Sequence, residues 1–216
     1  MIYFEIMRKY LEKKFWKYIY RRSLNNWYKR NFSSPSPVFV KHEIIKKNNL
    51  DNSLWIETGT YYGDTTNLLS FISSKVISIE ADKRLFDFAV KKFQNFKNVQ
   101  IINDKSQSIL DEILKKNQDH KNLCLYLDAH LCMDHLTKTQ TFKEENLETP
   151  IMIELNIIEN HLKKFDNVNI LVDDIRLFDG KTQNYPDLDA IVDWTRKNNS
   201  KWFIEHDIFI IKFQAN

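Results

Sequence analysis

From residue 38 onward, short apolar runs alternate with amphipathic stretches. LWIET (54–58), KVISIE (75–80), VQIIN (99–103), NLCLYLD (122–128) and VNILVD (168–173) carry apolar, often β-branched residues at consecutive positions, which predicts strands covered on both faces. Between them, residues 64–73, 83–95, 106–117, 149–164 and 186–198 repeat apolar side chains at three- and four-residue steps, the period of a helix with one buried face. Strands joined by helical crossovers build a parallel sheet with helices on its faces. The last apolar block, KWFIEHDIFIIKF (201–213), reads as two strands around a tight turn at His206-Asp207, an antiparallel hairpin that closes the sheet. The pattern predicts an α/β fold: a Rossmann-like, doubly wound, mostly parallel sheet with a C-terminal antiparallel hairpin.

The first 37 residues follow another rule. Met7, Leu11, Phe15, Tyr18 and Ile19 recur at helical spacing with cations between them, and residues 1–32 hold nine Lys/Arg against two acids. With a total of +3, that arm carries +7 and the remainder −4. SSPSP (33–37) then disfavours helix continuation and reads as a linker, so the expected organisation is an N-terminal basic helical arm (1–32), a linker (33–37) and one domain (38–216). Three partners suit such an arm: its own domain or a second subunit in a homodimer, an anionic membrane surface, or nucleic acid. The acidic domain behind it counts against nucleic acid.

Composition narrows the class further. At 216 residues, with 43% hydrophobic and 13% aromatic residues, the chain can bury one sizeable core and is not disordered. Its two cysteines, Cys124 and Cys132, have no metal-site or disulfide-framework spacing and read as reduced thiols of a cytoplasmic protein, peripheral to a membrane if the arm binds one. No run of 18 apolar residues predicts a transmembrane helix, and MIYFEIMRKY, interrupted by Glu5, lacks a signal-peptide core.

Polar residues gather at the carboxyl ends of the predicted strands, where doubly wound sheets bind ligands. The first strand ends at Glu57-Thr58, and two of the chain's three glycines, Gly59 and Gly63, follow before a helix near Asp64. Glycine there permits positive φ and lets a ligand lie on the backbone. The spacing E-x-G-x-x-x-G is not the G-x-G-x-x-G of dinucleotide enzymes. Glu80 ends the second strand, where an acid can accept from both hydroxyls of a ribose. Asp104 follows the third, where an adenine amino group would lie, and Ser106 is placed to cap the next helix. Three strand ends together point to a nucleoside-containing cofactor.

The series E-T-G-T-Y-Y-G-D-T-T, V-I-S-I-E, L-D-A-H, E-T-P-I-x-x-E-L, I-L-V-D-D-I-R-L-F and Y-P-x-L resembles a bacterial family of class I S-adenosylmethionine-dependent methyltransferases that often occur with sugar or polysaccharide biosynthesis. The resemblance runs from about Pro37 to Phe213. It implies a Rossmann-like methyltransferase fold, with Glu57 and Gly59 by the methionine end of S-adenosylmethionine, Thr58 and Gly63 also binding the cofactor, Glu80 on the ribose, and Asp104 with Ser106 near the adenine. The family follows D-A-H with an aromatic and a glycine pair, whereas this chain continues D-A-H-L-C-M-D-H-L-T with no glycine from 131 to 147.

Methyl transfer from a sulfonium needs an acceptor in line and a means of removing its proton. Asp128, His130 and Asp173 are the candidate catalytic residues, Asp128 also bordering the cofactor. Asp128, Asp173 and Asp174 form a carboxylate set suited to a hard divalent ion such as Mg²⁺ holding vicinal hydroxyls; Asp173 or Asp174 could instead pair with Arg176. The expected activity is O-methylation of a small-molecule or glycan hydroxyl. Two other classes stay open: a cofactor-binding module that has lost catalysis, motivated by the divergent 131–147 segment, and a nicotinamide-dependent oxidoreductase, against which the missing G-x-G-x-x-G counts.

Overall fold

The structure, a computed structural model, describes residues 18–129, 149–182 and 185–215. A helix over 18–29 (α1) and α2 (Val38–Lys47) precede β1 (Leu54–Thr58). Then follow α3 (Asp64–Ile72), β2 (Lys75–Glu80), α4 (Lys83–Phe93), β3 (Val99–Asn103), α5 (Ser106–Lys116), β4 (Asn122–Leu127), α6 (Ile151–Glu159), β5 (Asn167–Val172), α7 (Leu188–Lys197), β6 (Lys201–Glu205) and β7 (Ile208–Gln214). Short 3₁₀ turns occupy Leu162–Lys164 and Ile175–Leu177. The strands lie in the order β3-β2-β1-β4-β5-β7-β6, parallel through β5 and antiparallel at β7 and β6. The α/β fold with its C-terminal hairpin is therefore as the hydrophobic pattern predicts.

Consecutive apolar positions are consecutive because the sheet is covered on both sides. Leu54, Ile56, Leu123, Leu125, Ile170 and Ile211 face one cluster with α5, α6 and α7; Trp55, Cys124, Tyr126, Leu171 and Ile210 face the other, with α2 and α3. Burial pushes the Cys124 thiol up to about 12, so it is a core residue without nucleophilic character. Cys132, like His130 and the 131–147 segment, lies outside the described residues.

Three local expectations change. The 149–164 stretch is a shorter helix started by Pro150, whose fixed φ suits a helix entry, and a separate 3₁₀ turn. The 38–47 helix has no counterpart in the predicted elements; its mixed surface hides the pattern, and only Ile44 and Ile45 are buried on it. SSPSP is not a free tether. Arg30 Nη2 donates to the Pro35 carbonyl at 3.0 Å, and Trp27, 5% exposed, packs edge-on at 5.0 Å from His206 in the β6–β7 turn. That turn sits at His206-Asp207 as expected, with His206 at φ +54°.

Candidate active site

The carboxyl ends of β1 and β4 meet where the strand order reverses, since β1 pairs with β2 on one side and β4 on the other. The loop after β1 turns back over β2: Gly59 N and Thr60 N both donate to the Ile79 carbonyl, at 3.0 and 3.3 Å. Gly59 (φ +89°) and Gly63 (φ +72°) take left-handed conformations, and so does Tyr61 between them. A Cβ on Gly59 would stand 2.8 Å from the Asp128 carbonyl oxygen, and one on Gly63 would run into the Phe93 ring. The glycines are thus required first by the chain's own backbone and core.

Glu57 lies beneath this loop, 1% exposed. Its Oε2 accepts from Thr66 Oγ1 and Ser78 Oγ, each at 2.5 Å, joining β1, β2 and α3. Burial lifts its carboxyl to about 8; the two hydroxyls oppose the rise and the charges of Asp128 and Glu80 add to it. Glu80 ends β2 with Oε2 accepting from Tyr61 N at 2.8 Å and Oε1 from Asp82 N at 2.9 Å. The Ala81 backbone adds a third donor to the carboxylate. Burial raises its pKa, and the backbone donors hold it back. Asp104 is exposed and accepts from Lys105 N at 2.7 Å. Ser106 does not cap α5: Lys105 is the N-cap residue, and Ser106 is the first, buried residue of the helix, set against Glu154.

At the ends of β4 and β5 a hollow is lined by Asp128, Thr149, Glu154, Asp173, Phe178 and Tyr185, among others. The rings of Phe178 and Tyr185 meet edge to face at 5.5 Å. Asp128 is central electrostatically, its charge helping to raise Glu57, Glu154 and Asp173. Asp173 is buried with both oxygens engaged: Oδ1 accepts from Asp174 N at 2.7 Å, and Oδ2 from Lys41 Nζ at 2.6 Å and from the Tyr126 hydroxyl. Lys41, reaching in from α2, also meets Asp174 at 3.1 Å, and Arg176 bridges Asp174 (2.5 Å) and Asp207. Burial would lower the Lys41 pKa, but Asp173, Asp174 and Asp128 outweigh it and raise it. Burial and Asp128 push Asp173 upward against the pull of Lys41.

These partners correct the metal expectation. Among the described residues, the carboxylate oxygens within 4.8 Å of one another belong to Asp173, Asp174 and Asp207, and Asp128 is not in that group. Two cations of this chain already stand between them, and Asp173 has no oxygen left unengaged. The set does not fit Mg²⁺ held by Asp128, Asp173 and Asp174. The same bonds take Asp173 out of proton transfer and make it the anchor of Lys41.

No family model and no curated protein sequence matches the chain. Solved structures do match it in fold. The proposed methyltransferase SMU.1697c from Streptococcus mutans, solved in complex with SAH, is 17% identical with a TM-score of 0.51, over 83% of this chain and 98% of that one. A proposed rRNA methylase from Clostridium thermocellum is 10% identical with a TM-score of 0.53, over 82% and 96%. The N-methyltransferase NodS from Bradyrhizobium japonicum WM9 is 11% identical with a TM-score of 0.50, over 81% and 93%. The fold is Rossmann-like and is shared with methyltransferases.

Within this fold the structure gathers Glu57, Thr58, Gly59, Gly63 and Glu80 around one loop, and brings Asp128, Asp173 and Asp174 to the adjoining hollow. Asp104 is exposed after β3 and is not among the residues lining the hollow. Sequence reasoning missed Lys41, Glu154 and Asp207. A signal existed for the first two: each is a charged residue on the buried face of its helix, Lys41 three positions before Ile44 and Glu154 between Ile151, Leu155 and Ile158. Asp207, fully buried in a hairpin turn, gave none.

Proposed function

We propose that this protein is an S-adenosylmethionine-dependent methyltransferase acting on a hydroxyl of a sugar or glycan-related acceptor. The observation that carries the reading is the junction at the β1/β4 switch, where a left-handed glycine loop and a ribose-competent acid adjoin a hollow lined by carboxylates and two aromatic rings. Glu80, at the end of β2, would take the ribose hydroxyls, and the Gly59–Gly63 backbone would carry the methionine end. The bound cofactor would supply an electrophilic methyl group. Carboxylates that accept from hydroxyls, beside aromatic faces, suit a neutral polyhydroxyl acceptor. A phosphodiester would bring more negative charge against Asp128, Glu154, Asp173 and Asp174, which argues against a nucleic-acid substrate even though a proposed rRNA methylase shares the fold.

Helix α1 keeps Tyr18, Tyr20 and Tyr28 exposed beside Arg21, Arg22 and Lys29, which supports a peripheral contact with an anionic membrane, where glycan acceptors can be met. Thermal shift and calorimetry with SAH, S-adenosylmethionine and NAD test the cofactor, followed by transfer of labelled methyl to a panel of monosaccharides and glycosides. Binding of SAH with no transfer to any hydroxyl would favour a non-catalytic module; stabilisation by NAD alone would overturn the reading.

A further inference from the structure

Helix α6 is apolar on the face it buries, except at Glu154. That residue is 1% exposed, and its Oε1 finds no hydrogen-bond partner among the described residues. A carboxylate oxygen buried without a partner, beside one that Ser106 can serve, is costly and calls for a ligand-facing explanation. Its position supplies one. Thr58 at the end of β1 and Ser106 at the start of α5 adjoin it on the cofactor side; Asp128 and the hollow adjoin it on the acceptor side. The Thr58 hydroxyl lies near without the geometry of a hydrogen bond. Its dipole and that of Ser106 still favour the ionised form. Two of the other three acids of the hollow are committed elsewhere, Asp173 to Lys41, Tyr126 and Asp174 N, and Asp174 to Lys41 and Arg176; Asp128, the third, acts on Glu154 through its charge.

We infer that Glu154 is the proton acceptor for methyl transfer, an inference that rests on the proposed cofactor reading. The acceptor hydroxyl gives its proton to Oε1 as its oxygen bonds to the methyl carbon and the C–S electron pair passes to sulfur. An alcohol, a sulfonium and a carboxylate become an ether, a thioether and a carboxylic acid, so atoms and charge balance. Burial, with help from Asp128, holds the Glu154 carboxyl near 7. A group there is ionised in part at neutral pH and can both take and release a proton. Among the described residues, the charged groups around it are Asp128 after β4, Asp173 and Asp174 after β5 with their partners Lys41 and Arg176, and Glu57 under β1, which Asp128 couples to the same field.

The test needs no acceptor. SAH and sinefungin, which carries an amine-bearing carbon where the sulfonium stands, are titrated calorimetrically into the full-length protein and into Glu154→Gln at pH 6 and pH 8. SAH should bind both proteins within threefold. The preference for sinefungin over SAH should rise at least about fivefold from pH 6 to pH 8 in the unaltered protein, as the carboxylate ionises beside the ammonium, and should stay flat in Glu154→Gln. An equal pH response in both proteins, or none in either, would overturn the role of Glu154 while leaving the cofactor reading intact; failure of SAH to bind the unaltered protein would overturn both. Should Glu154→Gln fail to fold, the ¹³C carboxyl titration of Glu154 in the unaltered protein decides. Sinefungin should lower its midpoint by at least one pH unit and SAH should not; equal midpoints would sink the proposal.

Discussion

Gly59 shows how a single residue serves the fold and the site together. Its left-handed φ and the 2.8 Å approach of the Asp128 carbonyl both exclude a side chain. Gly59→Val should therefore lose stability as well as SAH binding. A β-branched residue held at positive φ costs on the order of 1–3 kcal/mol before the clash with Asp128 is counted. Chemical denaturation checks this, and a Gly59→Val protein as stable as the original would leave only the ligand to explain the glycine. Glu80→Ala removes a charged acceptor from two hydroxyls and should weaken SAH at least tenfold, in line with about 1.5–3 kcal/mol for such bonds. Because Glu80 also accepts from Tyr61 N, part of the loss will come from a loosened loop. Glu80→Gln separates the two, since its amide oxygen can still accept one of the bonds. Unaltered SAH affinity in Glu80→Ala would remove it from the site.

At the scale of elements, α2 and α1 reach the carboxyl end of β5 from the N-terminal part of the chain. Lys41 of α2 is the counter-ion of two aspartates after β5, more than 130 residues away in sequence. Lys41→Met would leave Asp173 buried and uncompensated, at a cost of roughly 3–5 kcal/mol. Denaturant melts measure that loss, and a Lys41→Met/Asp173→Asn double variant should recover part of it. Since lysine and arginine supply the positive charge there, EDTA should leave methyl transfer unchanged once an acceptor is in hand; inhibition relieved by Mg²⁺ would restore the metal. For α1, the packing of Trp27 on His206 changes what truncation should do. A chain starting at Ser34 should still bind SAH but melt several degrees lower, and should lose the salt-sensitive binding to anionic vesicles expected of the full-length protein. An unchanged melting temperature would show that the Trp27 contact contributes nothing.

For the molecule as a whole, buried acids set the pH dependence of stability. Glu57 and Glu154 titrate near 8 and 7 when folded, against an ordinary 4.5. Above pH 4.5 the unfolded chain has released protons that the folded chain still holds, so stability falls as pH rises from about 4.5 to about 8 and then levels. Surface acids such as Asp111 and Glu159, held low by Lys115 and Lys197, lose their contribution only at more acid pH. Glu57→Gln, which keeps an oxygen for Thr66 and Ser78, should flatten the decline. A melting temperature that climbs between pH 5 and 8 would contradict this.

The periodicity of apolar residues determined the strands, the parallel sheet, the helices between its strands and the closing hairpin, though not α2, because strand and helix periods are local properties of the chain. It also brought Glu57, Gly59, Glu80 and Asp128 to strand ends, since a doubly wound sheet puts every such end on one side. What the tertiary structure alone decided was the state of each carboxylate. Asp173 and Asp174 looked like metal ligands because Lys41 becomes their neighbour only through packing of α2; the pairing with Arg176 that the sequence left open is the one Asp174 makes. Gly59 looked like a ligand-facing residue because the Asp128 backbone approaches it only across the β1–β4 pair. Glu154 looked like one more helix glutamate, and its buried, unpaired oxygen exists only where α6 meets β1, β4 and α5. Ionisation and pairing depend on distance and dielectric, which no spacing along the chain contains.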